Sequence, residues 1–269
     1  SPSGMGGAGA HEVWVLDNFE QDPFAKCAMI DTAENVAAEF DVTRSELDDV
    51  VLRRYEQYQD ALSKDSAFQK RFMAAPLELT NKKGRVTARA EGDEGIRPVT
   101  REGLEALKPV RPEGVVTYGG QTHPADGAAG LIVTNAEMAD EFSQDTNIAI
   151  RVVSFGQHRE RVGYMPAAPI GASQKALDAA GLKIEQISAI KSHNPFAVND
   201  VAFARAFDLD VMTMNNYGCS LIWGHPQGPT GLRAIIELIE ELVLLGGGYG
   251  LFQGCAAGDS AMAVIIRVG

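Results

Sequence analysis

Two glycine-rich stretches limit what this chain can fold into more than any other feature. Asn215 to Gly231 reads NNYGCSLIWGHPQGPTG, and Gly248 to Arg267 reads GYGLFQGCAAGDSAMAVIIR. In the first, Gly224, Pro226, Gly228, Pro229 and Gly231 surround His225 at a density that no regular helix or strand tolerates, so this histidine belongs to a loop. In the second, Cys255 closes a short apolar run ahead of a tight turn at Gly258-Asp259. Two groups able to move protons, each with little side-chain bulk around it, point to a site that a large substrate approaches closely.

The rest of the chain reads as scaffold. Ser1 to about Phe24 is glycine-rich, then aromatic and acidic, and is expected to be irregular and partly packed. Thr32 to Phe40 places Ala33, Val36, Ala37 and Phe40 on one helical face. Thr43 and Glu46 form a capping box ahead of a longer helix to about Ser63, along which Leu47, Val50, Val51, Arg54, Tyr58 and Leu62 recur at helical spacing. Core packing is the plain reading of both faces. Lys82-Lys83-Gly84-Arg85 reads as a solvated hairpin tip. Val115 to Tyr118 and Ala128 to Thr134 read as strands, the second buried, and Ala136 to Phe142 as a helix. Ile148 to Phe155 reads as a strand, and Pro169 to Ala180 as a helix ended by Gly181. The alternation continues through Ile190 and argues for an α/β layered fold.

A chain of 269 residues that is 45% hydrophobic can bury a sizeable core. Its formal charge of -12 opposes general nucleic-acid binding, which needs a basic surface. Cys27, Cys219 and Cys255 are too widely and unevenly spaced for a disulfide framework or a zinc pattern, which suits a reducing cytoplasm. No apolar run reaches the roughly 18 residues of a membrane span. The start SPSGMGGAGA lacks the regions of a signal peptide, and Ser1 does not read as a natural translation start.

The GHP loop with its flanking glycines, followed by Cys255 in a glycine-rich hairpin, resembles the thiolases. The resemblance covers nearly the whole chain but not a whole thiolase. It implies a thiolase-like layered fold, a mixed sheet covered by helices, with an inserted loop domain at residues 1–113. Residues 114–146 would return to the N-terminal core domain, and 147–269 would form the C-terminal domain. The family's first catalytic half, with its acyl-accepting cysteine, would lie before Ser1. MIDTAENVAAEF followed by TRSELDDVVLRR is similar to the entrance of the thiolase loop domain. Ala28 stands where the commonest thiolases have a histidine, and Ile30 and Asp31 replace smaller residues, which implies a different acyl pocket.

Further roles follow only from the resemblance. DEGIRPVTREGLEALKPVRP matches the segment whose arginine reaches the adenosine-phosphate end of coenzyme A, here Arg97. GVVTYGGQTHPADGAAGLIVTN matches the segment whose serine bonds the pantetheine arm, a bond Thr122 can also make. Within it Asp126 reads as a turn-capping carboxylate and His123 as a loop histidine without a special role. His193-Asn194-Pro195-Phe196-Ala197 falls where the family has Asn-Glu-Ala-Phe or His-Asp-Ala-Phe. The expected match puts Asn194 on the asparagine that holds an oxyanion water and Pro195 in place of the glutamate. The plain alternative makes Asn194 the N-cap of a helix starting at Pro195.

On this reading His225 activates the missing cysteine and polarises the thioester carbonyl, with a water on Asn194. Cys255 is the acid/base, and the backbone N–H of Ala257, where the family has glycine, serves the second oxyanion site. Cys219 is expected to be structural. The implied activity is thiolytic cleavage or Claisen condensation of 3-ketoacyl-CoA by an acyltransferase of lipid metabolism. Its CoA thioester is the substrate, and neither a metal nor a separate cofactor is expected. Departures at Ala28, Pro195 and Asp259, with the WVLDNF stretch, resemble divergent thiolases for bulky acyl groups, some of which pair with a small zinc-containing OB-fold partner. An oligomer is implied, and without its first half the core sheet would expose an apolar face. The competing reading is a non-catalytic thiolase-like protein that binds CoA esters or lipids or acts as a scaffold.

Overall fold

The computed structural model describes residues 19–143 and 145–269. The glycine-rich opening, with most of WVLDNF, lies outside them. Two helices come first, α1 (Met29–Glu39) and α2 (Arg44–Ser66). Thr43 and Glu46 close the capping box: the Thr43 N–H donates to Glu46 Oε2 at 2.8 Å, and the Glu46 N–H donates to Thr43 Oγ1 at 3.3 Å. Helical backbone angles give way at Ser63, where the sequence ends the helix. Val36, Leu47, Val50 and Val51 are buried, as their spacing requires.

An exposed hairpin, β1 (Leu77–Thr80) and β2 (Val86–Ala90), turns through the basic tip. It is followed by α3 (Arg101–Glu105) and α4 (Ala136–Phe142). The layered part contains β3 (Ile150–Arg159), α5 (Ala168–Ala180), β4 (Ile187–His193), α6 (Ala197–Ala206), α7 (Ser220–Trp223), α8 (Pro229–Leu244), β5 (Gly248–Ala256) and β6 (Ser260–Val268). The sheet order is β3-β6-β5-β4, with β4 and β5 parallel and both neighbours of β6 antiparallel to it.

Alternation along the strands gives the sheet two apolar faces. Leu251, Ala263 and Ile265 pack against Ala172, Ala176 and Leu177 of α5 and Phe203 of α6. Ala189, Phe252, Ile266 and Val268 pack against Ala234, Leu238 and Leu242 of α8. Helices therefore cover both faces, the architecture expected from the alternating pattern. Gly156 lets α5 lie directly on β3, because a Cβ there would sit 2.1 Å from the Ala172 carbonyl oxygen. The first helices join the layered part through a buried ion pair, Arg54 Nε to Asp200 Oδ2 at 2.9 Å, with both side chains fully buried.

Two expected strands are not formed. Neither segment, 115–118 or 128–134, finds a ladder partner among the described residues, and Tyr118 instead opens a 3₁₀ turn through Gly120. Ile132 and Val133 are 73% and 79% exposed, so the second segment is not the buried strand its composition suggests. An apolar run becomes a strand only where a neighbour completes its backbone hydrogen bonds. No helix among the described residues is long and apolar enough to cross a membrane.

Candidate active site

The two glycine-rich stretches meet at one cavity of about 1340 Å³. Its walls include His225, Cys255, Ala257, Arg97 and Thr122, so five residues singled out from sequence share one space. Residues 121–125 stitch the site together. Gln121 bridges to Phe196, the Thr122 N–H donates to the Pro195 carbonyl at 2.8 Å, and the His225 N–H donates to the His123 carbonyl at 2.7 Å. Gly224 makes this approach possible: its φ is +93°, and a Cβ there would lie 2.8 Å from Ala125 Cβ and 2.9 Å from His123 Nε2.

His225 Nδ1 lies 2.7 Å from the Thr230 hydroxyl, at the start of α8. Its ring stacks on His193, with centroids 4.2 Å apart and planes inclined by 26°. His193 Nδ1 lies 2.9 Å from Ser220 Oγ. Among the described residues no protein group bonds the Nε2 of either ring, and both rings line the cavity. Burial lowers the pKa of His225 to about 4, and burial beside His225 holds His193 well below the usual histidine value. Both rings are therefore neutral at neutral pH.

Asn194 does not reach this cavity. Its Nδ2 donates to Asp200 Oδ2 at 2.8 Å and to Cys219 Sγ at 3.2 Å. Its Oδ1 accepts from the Leu221 N–H and the Ser220 hydroxyl, each at 3.2 Å. With donors and acceptor committed inside the protein, the amide has little capacity left for a catalytic water. Counting back from Phe196 along Asn-Glu-Ala-Phe or His-Asp-Ala-Phe lands on His193, so the expected match was one residue out of register. Nor is Asn194 a helix cap. The helix begins at Ala197, and the Phe196 N–H donates to Asn199 Oδ1 at 3.2 Å. His193 was within reach of the sequence, through the His-Asp-Ala-Phe variant.

Cys255 ends β5, 7% exposed, and its sulfur accepts from Asn199 Nδ2 at 3.4 Å. Burial pushes the Cys255 thiol up to about 12, so it is protonated at neutral pH. Asp22 and Asp259 hold the hairpin behind it. The Gly258 N–H donates to Asp22 Oδ2 at 2.9 Å, and the Gly163 N–H donates to Asp259 Oδ2 at 2.8 Å. Cys219 is 1% exposed and does not line the cavity. The Thr122 hydroxyl donates to the Ser220 carbonyl at 2.6 Å, which leaves its oxygen able to accept an amide N–H. Arg97 is exposed at the cavity wall, on a loop anchored by Asp93, whose two oxygens lie 2.5 and 2.7 Å from Arg233. Asp126 is exposed and has no side-chain hydrogen bond among the described residues, so it does not cap its turn. His123, read as a loop residue without a role, is part of the cavity wall, its pKa lowered by burial and by Arg97. No group of three or more His, Cys, Asp or Glu among the described residues is arranged to hold a metal ion.

A layered α/β fold whose glycine-rich loop and glycine-rich hairpin bring a histidine and a cysteine to one cavity defines the class, and the chain belongs to the thiolase family. The model of the thiolase N-terminal domain matches residues 4–137, and that of the thiolase C-terminal domain matches residues 146–268. Human mitochondrial 3-ketoacyl-CoA thiolase is 32% identical over 259 residues, which is 95% of this chain and 62% of that protein. The crystal structure of Bacillus anthracis acetyl-CoA acetyltransferase superposes with a TM-score of 0.86 at 29% identity, covering 95% of this chain and 63% of that one. Human mitochondrial 3-ketoacyl-CoA thiolase in complex with CoA superposes with a TM-score of 0.80 at 28% identity, covering 96% and 62%. The chain thus spans less than two thirds of the relatives it matches.

Proposed function

We propose that this chain is the C-terminal part of a thiolase-type acyl-CoA C-acyltransferase, which cleaves or forms 3-ketoacyl-CoA with a nucleophilic cysteine from polypeptide outside these residues. The observation that carries the reading is the convergence of the His193–His225 stack and Cys255 on one cavity. In the cleavage direction, neutral His225 takes the proton of the nucleophilic thiol, and the thiolate adds to the keto carbon. The bond from that carbon to the α carbon breaks, and the α carbon of the departing acetyl-CoA takes its proton from the Cys255 thiol. Cys255, now a thiolate, takes the proton of an incoming CoA thiol, whose sulfur displaces the acyl group from the nucleophile, and the nucleophile recovers its proton from His225. Condensation is the same sequence reversed.

His193 takes the oxyanion role first expected of Asn194, polarising the carbonyl with His225, while the Ala257 N–H serves the second oxyanion. Arg97 holds a CoA phosphate and Thr122 the pantetheine arm. The volume of about 1340 Å³ and the apolar walls from Leu104, Leu107, Leu221 and Phe252 support an acyl group larger than acetyl. The test is native purification, with any copurifying or parent polypeptide retained, followed by incubation with a labelled acyl-CoA. Acylation of a cysteine outside these residues, lost in His225→Ala, supports the reading. A lone 28.8 kDa species that binds CoA esters but is never acylated overturns it in favour of a non-catalytic binding protein.

A further inference from the structure

We infer that Asn199 is a positioning residue for Cys255 that also brings its thiolate form within reach, an inference that rests on the acid/base role proposed for Cys255. Asn199 sits in the first turn of α6 with 1% exposure, and each of its polar atoms is engaged. Its Oδ1 accepts from the Phe196 N–H at 3.2 Å, which fixes the turn that follows His193 at the end of β4. Its Nδ2 donates to the Pro166 carbonyl at 3.3 Å and to Cys255 Sγ at 3.4 Å. One amide therefore couples the cysteine at the end of β5 to the turn that follows His193.

The amide dipole also matters to the chemistry. A proton carrier must exist in both forms during turnover, and a buried thiolate without a donor is strongly disfavoured. Among the described residues the titratable groups around Cys255 offer no positive charge: His193 and His225 are neutral, and Asp259, four residues further along the same hairpin, repels a thiolate. The Asn199 N–H is the side-chain donor that favours the thiolate over the thiol. Asn199 and Asp259 thus pull in opposite directions on one sulfur, and the energy of a hydrogen bond to a charged group is what the asparagine contributes.

Iodoacetamide alkylation of the natively purified protein, followed across pH and located by peptide mass mapping, tests this without depending on turnover. Cys255 lines the cavity with 7% of its surface exposed, and half-buried Cys27 serves as an internal reference. In Asn199→Ala the alkylation of Cys255 at pH 8 slows about tenfold and its profile moves to higher pH, while that of Cys27 is unchanged. Asp259→Asn moves the Cys255 profile to lower pH, and that of Cys27 with it, because the same carboxylate disfavours both thiolates. Asn199→Ser, which keeps a donor in a smaller side chain, recovers part of the rate. A Cys255 profile unchanged in folded Asn199→Ala, or one moved equally at Cys27, overturns the inference. If the profiles move as stated but Cys255→Ser leaves acyl transfer intact, the acid/base reading of Cys255 fails while the control of its thiol by Asn199 stands.

Discussion

His193 and Asn194 are neighbours in sequence with opposite fates, and the difference is measurable. His193 faces the cavity, stacked on His225, whereas Asn194 is bonded on every side to Asp200, Cys219, Ser220 and Leu221. His193→Ala is expected to lower acyl-transfer turnover about 10²- to 10³-fold with little change in urea midpoint. Asn194→Ala is expected to cost about 2–3 kcal/mol of stability, because it strands partners in a buried polar network. The neutral rings add a pH dependence. The folded pKa of His225, about 4, lies below its unfolded value, so the unfolded chain binds the proton first as pH falls. The stability from the neutral ring is complete above about pH 6.5 and is lost progressively towards pH 4. Urea titrations at pH 7 and pH 5 should show His225→Gln losing about 2 kcal/mol less than the parent over that interval.

At the scale of elements, the site depends on how the first two helices are fastened to the layered part. Arg54 of α2 reaches Asp200 at 2.9 Å, Gln57 at 2.9 Å and the Val211 carbonyl at 2.7 Å. Asp200 in turn accepts from Ser192 Oγ at 2.6 Å and Asn194 Nδ2 at 2.8 Å, on either side of His193. One helix residue therefore sets the backbone that aims a cavity histidine from a different part of the chain. Arg54→Leu is expected to cost about 3–5 kcal/mol, because it leaves the buried Asp200 carboxylate without its charge partner. The double variant Arg54→Leu, Asp200→Leu should recover part of that loss in thermal unfolding. The periodic pattern placed Arg54 on the core side of α2 with the apolar residues; its partner Asp200 is 146 positions away and carries no signal that it is one.

For the whole molecule, the most informative surface is apolar. Ile150, Val152 and Phe155 of the edge strand β3 are 48%, 59% and 62% exposed, and Ile132 and Val133 add to the exposed apolar area. Ile132→Asp with Phe155→Asp should leave the urea midpoint of this chain nearly unchanged, because both side chains are already exposed. Legible in the residues alone were the family, the layered α/β class, the capped helices, the loop that carries His225 and the glycine-rich hairpin that carries Cys255. These depend on local chemistry: periodicity, caps, and glycine and proline where the backbone leaves regular structure. Long-range packing settled that His193 rather than Asn194 faces His225, that His123 is part of the cavity wall and that residues 128–134 are not a strand. Those outcomes depend on which distant group satisfies each polar atom and on whether a neighbouring strand is present, and neither is a property of a residue's own surroundings in sequence.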